Sequence, residues 1–519
     1  MKLAGFAPLA LALATAMSVS SGALAAAAPR VTVAVDTKAP GAKIDRRIFG
    51  QFAEHLGTGI YGGIWVGENS AIPNTHGYRN DVVAAHKALH VPVVRWPGGC
   101  FADEYNWREG IGPRASRPVK INTNWGGVTE DNAFGTNEFM NFSEMIGAEA
   151  YVSGNVGTAT PREMAEWVEY MTAPAGSLAE LRKKNGRAAP WKLPIMGIGN
   201  ELWGCGGSMR PEYAADETRR FSQFIKVPAG TKTLKIASGA SSDDYNWTEV
   251  MMRDARGSFD GIGVHYYTIG ADKWPPSKPA TGFDANDYAK ILEGALRIDP
   301  IITKHSEIMD KYDPEKRVIM AVDEWGTWYA PTPGSNPGFL QQQNSIRDAL
   351  VAAVSINAFA RHADRVRMAN IAQMVNVLQA MILTDGPKMV LTPTYHAFKM
   401  YIPFQDATFV PVSYDKGEYR EGSITLPRID AIAARGTDGH VYLAVTNLHA
   451  SEATDAEFTL PGVAVKSASG ETLTAPAVDS VNTFDKPSVV APKPIKAKAG
   501  NGRVTVTLPP RSVTVLRVD

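Results

Sequence analysis

From about Ile48 to Ala372, short β-rich runs alternate with amphipathic helical stretches, and no other feature of the chain limits its fold as strongly. Strands separated by crossover helices run parallel, because each helix returns the chain to the same end of the sheet. Eight runs are legible: Ile48 to Phe52, Val91 to Arg95, Ala150 to Ser153, Ile195 to Gly199, Leu234 to Ser238, Gly261 to His265, Val318 to Val322, and Val366 to Ile371. Eight strand-plus-helix units predict an α/β fold, a (β/α)8 TIM barrel with long loops. The helices carry their own signals. Thr160-Pro161-Arg162-Glu163 is a capping box with proline at the first helical position, followed by Met164, Trp167, Val168 and Met171 at one-face spacing. Thr136 is placed to cap a helix burying Phe139, Met140, Met145 and Ile146, and Asp81 one burying Val82, Val83 and Leu89.

After about Tyr401 strands follow one another without helices. His440 to Asn447, Ala456 to Leu460, Val504 to Leu508 and Ser512 to Val518 predict a C-terminal all-β sandwich over 399–519, behind a barrel spanning 46–398. Val31, Val33 and Val35 alternate in a lone strand within 26–45 that has no place in an eight-stranded barrel, so it is expected to join the sandwich. The Pro/Lys/Gly-rich stretch Lys493 to Asn501 reads as a surface loop.

Composition narrows the ligand class. Lys plus Arg equals Asp plus Glu at 53 each in 519 residues, so no global field draws the chain to nucleic acid, an anionic membrane or a polyanion, and a neutral ligand fits best. The 11 Trp and 17 Tyr offer flat faces suited to sugar rings or to a core. Met1-Lys2, the apolar run Ala4 to Val19 and Ala23-Leu24-Ala25 read as a signal peptide over 1–25, hence export to the periplasm or medium and no membrane association after cleavage. Cys100 and Cys205 are the only cysteines; they permit one disulfide without implying it, and with no paired-Cys spacing and no H-E-x-x-H no metal site is expected.

Catalytic residues of such barrels sit where strands end. The fourth run leads into Gly199-Asn200-Glu201-Leu202-Trp203, the seventh into Asp323-Glu324-Trp325-Gly326, and strands four and seven face each other across the barrel mouth. Two carboxyls so opposed suit glycoside cleavage, in which one stays protonated for the leaving oxygen and the other is ionised to attack the anomeric carbon. A charge-compensated Glu324 beside a less compensated Glu201 would divide those tasks.

GIGNELWG and VDEWGTW, with FGQFAEHL (Phe49 to Leu56), VRWPGGCF (Val94 to Phe101), GVHYY (Gly263 to Tyr267) and HADRVRMANIAQMVNVL (His362 to Leu378), resemble the α-L-arabinofuranosidases of glycoside hydrolase family 51 over nearly the whole chain. The resemblance implies a retaining, exo-acting glycosidase that removes terminal α-L-arabinofuranosyl residues from plant cell-wall polysaccharides or oligosaccharides, needs no cofactor, and leaves a homo-oligomer open. It implies Glu201 as acid/base and Glu324 as nucleophile. Asn200 would hold the sugar's 2-hydroxyl, Glu54 would bond ring hydroxyls, Arg95 would orient a carboxylate, Tyr267 would bond the nucleophile, and Gln373 would close the pocket; His265 would touch the sugar or its neighbours. The chain departs from many members in carrying Cys100 where they have Asn. Either the thiol packs against the sugar, or it pairs with Cys205 in WGCGG to brace two rim loops. An endo-acting β-glucanase or xylanase would use the same two glutamates and is the alternative.

Overall fold

The computed structural model describes residues 28–39, 41–270 and 274–519; the leader read over 1–25 lies outside them. The chain enters through β1 (Arg30–Val35) and then forms β2 (Gly50–Phe52), β3 (Val93–Trp96), β4 (Glu149–Gly154), β5 (Ile195–Ile198), β6 (Leu234–Ser241), β7 (Gly261–Thr268), β8 (Ile319–Thr327) and β9 (Val366–Ala372). Strands β2 to β9 close in sequence order into a parallel barrel, sealed where Asn370, Ile371 and Ala372 pair with Gly50, Gln51 and Phe52. The TIM barrel expected from the eight runs is therefore present. Val93, Tyr151, Ile195, Ile236, Ile319 and Met368, one from each of six strands, form a buried apolar cluster of their own, which fills the interior beneath the mouth.

The first run differs from expectation at its start. Ile48 and Phe49 belong to a 3-10 turn, Arg46–Phe49, because Asp45 caps it by accepting from the Arg47 N–H at 3.0 Å. Around the barrel, α1 (Asn80–Ala88), α2 (Thr136–Ile146) and α3 (Pro161–Thr172) lie on the first three crossovers. In α3 the Thr160 hydroxyl accepts from the Glu163 N–H while Glu163 accepts from the Thr160 N–H, the reciprocal pair of a capping box. Thr136 is not a cap. Gly135 occupies that position, its N–H bonded to Glu138, and the Thr136 hydroxyl accepts from the Trp167 indole instead, which ties α2 to α3. Asp81 likewise sits inside α1, pairing with Arg79 and accepting from the Val82 N–H.

The C-terminal strands are β10 (Thr408–Val410), β11 (Val412–Tyr414), β12 (Ile429–Arg435), β13 (Val441–Asn447), β14 (Thr454–Thr459), β15 (Ala468–Leu473), β16 (Lys493–Gly500), β17 (Arg503–Leu508) and β18 (Ser512–Val518). They run β10-β12-β13-β18-β15-β16-β17-β14-β1-β11 and fold over a core that includes Val33, Ile429, Leu443, Phe458, Val504 and Leu516, a β-sandwich. Strand β1 lies between β14, to which it is parallel, and β11, to which it is antiparallel, with Val33 opposite both Phe458 and Tyr414. Lys493 to Gly500, read as a loop, is the strand that links the two layers. Its period of two is hidden because the half-buried positions include small Ala497 and Ala499 while Lys496 and Lys498 face water. Helix Ile346–Arg361 is buried along all but its last residue. It lies between barrel and sandwich, with Asn357 and Arg361 both donating to Asp430 of β12.

Candidate active site

Two irregularities in the barrel ladder aim the central side chains. The register between β7 and β8 shifts between Gly263 and His265, and that between β8 and β9 shifts between Val322 and Trp325. An extra residue in one strand rotates the following side chains relative to their neighbours. Asp323 and Glu324 stand at that point, inside β8 rather than beyond its end, and His265 is Glu324's register partner. Glu201 follows β5 with φ of +42°, a left-handed conformation that a non-glycine residue adopts only when its surroundings hold it there. Its carbonyl accepts from the Gly204 and Gly206 N–H groups.

Here the two glutamates meet through one imidazole. His265 Nδ1 lies 2.9 Å from Glu201 Oε1 and 3.5 Å from Glu324 Oε2. A carboxylate oxygen from each glutamate and a His265 ring nitrogen all fall within 4.8 Å of one another. Glu324 accepts from Arg95 Nη1 at 2.8 Å and from the Tyr267 hydroxyl at 2.9 Å, the partners of an ionised carboxylate. Arg95 Nη2 also donates to Asn200 Oδ1 at 2.5 Å. Behind them Asp323 accepts from the Tyr151 hydroxyl at 2.7 Å and faces His265 Nε2 at 3.5 Å.

Burial raises the Glu201 pKa above the ordinary carboxylate value and the charge of Glu324 adds to the rise, against a hydrogen bond from His265. Burial alone would lower His265, but the carboxylates of Glu324, Asp323 and Glu201 outweigh it and push the imidazole up to about 10. Asp323 is held down despite its burial by His265, Arg95 and Tyr151. Burial thus favours the protonated form of Glu201, while Glu324 beside it accepts from a guanidinium and a phenol.

A cavity of about 800 Å³ opens over this cluster, lined by Glu54, Cys100, Glu201, His265, Tyr267, Glu324 and Gln373 among others. Arg95 and Asn200 are each 1% exposed and stand behind its wall, so of the nine residues singled out in the sequence seven reach the cavity surface and two support them. Glu54 accepts from the Trp125 indole at 2.8 Å, the Phe101 N–H and the Gln373 amide; burial, with the charge of Glu324, pushes its carboxyl up to about 8. The glycines of VRWPGGCF make room for it: a Cβ on Gly99 would come within 2.5 Å of Glu54 Oε1. Cys100 and Cys205 form a disulfide, which settles the two readings of Cys100 in favour of the brace, and Cys205 Sγ lies 3.7 Å from Glu201 Oε2. Trp125, Trp203, Trp274 and Trp328 complete the walls. None of the four was singled out in the sequence: Trp203 and Trp328 fall inside GIGNELWG and VDEWGTW, a signal that could have found them, whereas Trp125, on the hairpin Lys120–Glu130, and Trp274 carry no local signal.

Two family models match the chain: the alpha-L-arabinofuranosidase 1 domain over residues 85–274 and the alpha-L-arabinofuranosidase C-terminal domain over 323–512. An intracellular exo-alpha-L-arabinofuranosidase of Bacteroides ovatus is 50% identical over 92% of this chain and 93% of its own. The family 51 arabinofuranosidase of Xanthomonas axonopodis pv. citri superposes with a TM-score of 0.94 at 58% identity, covering 94% of this chain and all of that one. An arabinose complex of the Thermotoga maritima alpha-L-arabinofuranosidase superposes at 0.81 with 30% identity, over 94% and 99%. The Bacteroides relative bears the word intracellular in its name, which overturns the export expected from the leader reading.

Proposed function

The chain belongs to the α-L-arabinofuranosidases of glycoside hydrolase family 51, and from that premise we propose how its pocket releases terminal, non-reducing α-L-arabinofuranosyl residues with retention of configuration. The observation that carries the reading is the closeness of Glu201 and Glu324, with oxygens less than 4.8 Å apart. Retaining glycosidases hold their carboxyls about 5–5.5 Å apart, whereas inverting ones leave about 6.5–9.5 Å for a water.

In the first step Glu324 attacks the anomeric carbon as the glycosidic bond breaks, and Glu201 gives its proton to the departing oxygen. In the second, Glu201 takes a proton from water, which attacks the same carbon and frees Glu324. Arg95 and Tyr267 hold the nucleophile at a defined angle, and His265, bonded to Glu201, steadies the acid/base through both protonation states. Glu54 bonds the ring hydroxyls, and Gln373, which donates to it at 3.3 Å, closes the pocket. Asn200 accepts from Arg95 through Oδ1 and donates through Nδ2 to Cys205 Sγ at 3.8 Å, so it supports the wall, and a bond to the sugar's 2-hydroxyl would replace the one to sulfur. The substrates are arabinose-bearing polysaccharides or oligosaccharides, with Trp203 and Trp328 offering faces to the sugar that leaves.

The test is a hydrolysis panel of aryl α-L-arabinofuranoside, β-xyloside and β-glucoside, with the product followed by NMR. The arabinofuranoside should lead by at least about 100-fold in kcat/KM, and the first sugar formed should keep the α configuration. A β-xyloside or β-glucoside preferred over it would favour the endo-acting alternative, and a β product appearing first would remove the retaining mechanism.

A further inference from the structure

Asp103 sits in the short turn Cys100–Glu104 that follows β3, 1% exposed and forming no ion pair among the described residues. Both of its carboxylate oxygens nonetheless have partners. Oδ2 accepts from the Asn200 N–H at 2.7 Å, and Oδ1 accepts from the Val156 and Gly157 N–H groups at 2.7 and 2.9 Å. Its own carbonyl accepts from the Thr158 hydroxyl at 2.8 Å. Val156 and Gly157 follow β4 and Asn200 follows β5, so one side chain joins the loops beyond three successive barrel strands.

The Asn200 N–H is the donor immediately before Glu201, whose φ of +42° has to be maintained by its neighbours. The loop also folds back tightly here: a Cβ on Gly206 would stand 2.9 Å from Asp103 Oδ2 and 2.0 Å from the Asn200 carbonyl. Burial pushes the Asp103 carboxyl up to about 7 while the three backbone donors pull it down. A carboxylate kept in such a place, with an apolar residue of similar size available as a substitute, points to a role for those bonds beyond filling space.

We propose that Asp103 is the positioning residue of the acid/base, fixing the Gly199-Asn200-Glu201 backbone so that the Glu201 carboxyl reaches the leaving oxygen. This rests on Glu201 being the acid/base. Asp103 touches neither sugar nor reacting atoms; it acts through the peptide that carries Glu201. Asp103→Asn replaces one acceptor oxygen with an NH2 facing backbone donors, which forces that peptide to move. A displaced Glu201 impairs proton donation and leaves nucleophilic attack intact, so the damage should depend on how much the leaving group needs a proton.

The experiment compares kcat/KM, which reports the first step, on an arabino-oligosaccharide and on 2,4-dinitrophenyl α-L-arabinofuranoside. Asp103→Asn should lose about 10- to 100-fold on the former and less than about 3-fold on the latter, with a far-UV spectrum like the wild type. Gly157→Ala is the second variant: its Cβ would stand 2.9 Å from that of Asp103 and displaces the carboxylate without removing its charge, so it should show the same selective loss. Glu201→Ala is the reference and should discriminate more strongly than either. Equal losses on both substrates in the folded variants, or no loss, would overturn the role of Asp103 while Glu201→Ala still discriminates. If Asp103→Asn does not fold, Gly157→Ala alone decides. A Glu201→Ala enzyme that fails to discriminate would instead remove the acid/base reading itself.

Discussion

Glu201 and Glu324 are the same residue type within 4.8 Å of each other, and their surroundings divide the work. Glu324 has a guanidinium and a phenol donating to it; Glu201 has one imidazole and a burial that favours its proton. The difference should be visible in the products of rescue. With Glu201→Ala, azide should intercept the glycosyl-enzyme formed on Glu324 and give a glycosyl azide of the substrate's own anomeric configuration. With Glu324→Ala, azide should attack the substrate directly and give the opposite configuration. NMR of the two azides checks this: exchanged anomers would reverse the assignment, and the same anomer from both variants would remove it. The glutamates were legible because each follows an apolar run and precedes an aromatic. That Arg95 and Asn200 stand behind the wall and not in it was not legible, because strand periodicity tells which face a residue takes and not how deep it lies.

At the scale of elements, local signals succeeded where the chemistry is local. Thr160 and Glu163 are three residues apart and satisfy each other's backbone donors, and the structure shows that box. Thr160→Ala should therefore cost about 1 kcal/mol, read as a lower urea midpoint with the slope unchanged. Thr136 misled because a hydroxyl can bond to a neighbouring helix as readily as to its own; Trp167, thirty-one residues on, takes it. The two register shifts that aim His265, Asp323 and Glu324 are likewise properties of strand pairs, and neither strand announces them alone.

Across the whole molecule, buried ionisable groups set how stability responds to pH, and they do not all act in one direction. His86 in α1 donates through Nδ1 to the Val82 carbonyl, while its buried Nε2 has no partner, and burial lowers its pKa from 6.5 to about 4. The unfolded chain therefore binds more protons than the folded one between these values, so the stability His86 contributes is complete above pH 6.5 and is lost as pH falls towards 4. Glu54, raised to about 8, has the opposite sign: its folded form takes up the extra proton, and stability falls as pH rises from about 4.5 to 8. The His86 contribution can be isolated with His86→Gln, which cannot protonate. The stability of wild type relative to this variant, from urea unfolding, should decline by about 3 kcal/mol between pH 7 and pH 4. A difference that stays constant with pH would contradict the burial of an uncharged imidazole.

The barrel, the sandwich and the family were set by the sequence itself, because strand and helix periodicities and contiguous motifs such as AEHLG, RWPGG and DEWG are written in neighbouring residues. The period of two in Lys493 to Gly500 is faint in the sequence because its half-buried members include small Ala497 and Ala499. Tertiary structure alone decided that Cys100 meets Cys205 across 105 residues, that Trp125 closes on Glu54, and that Asp103 ties the backbone of two further loops to its own. Each of these joins segments far apart in the chain, and their meeting depends on the closure of the barrel and the register of its strands, quantities that no local window of residues contains.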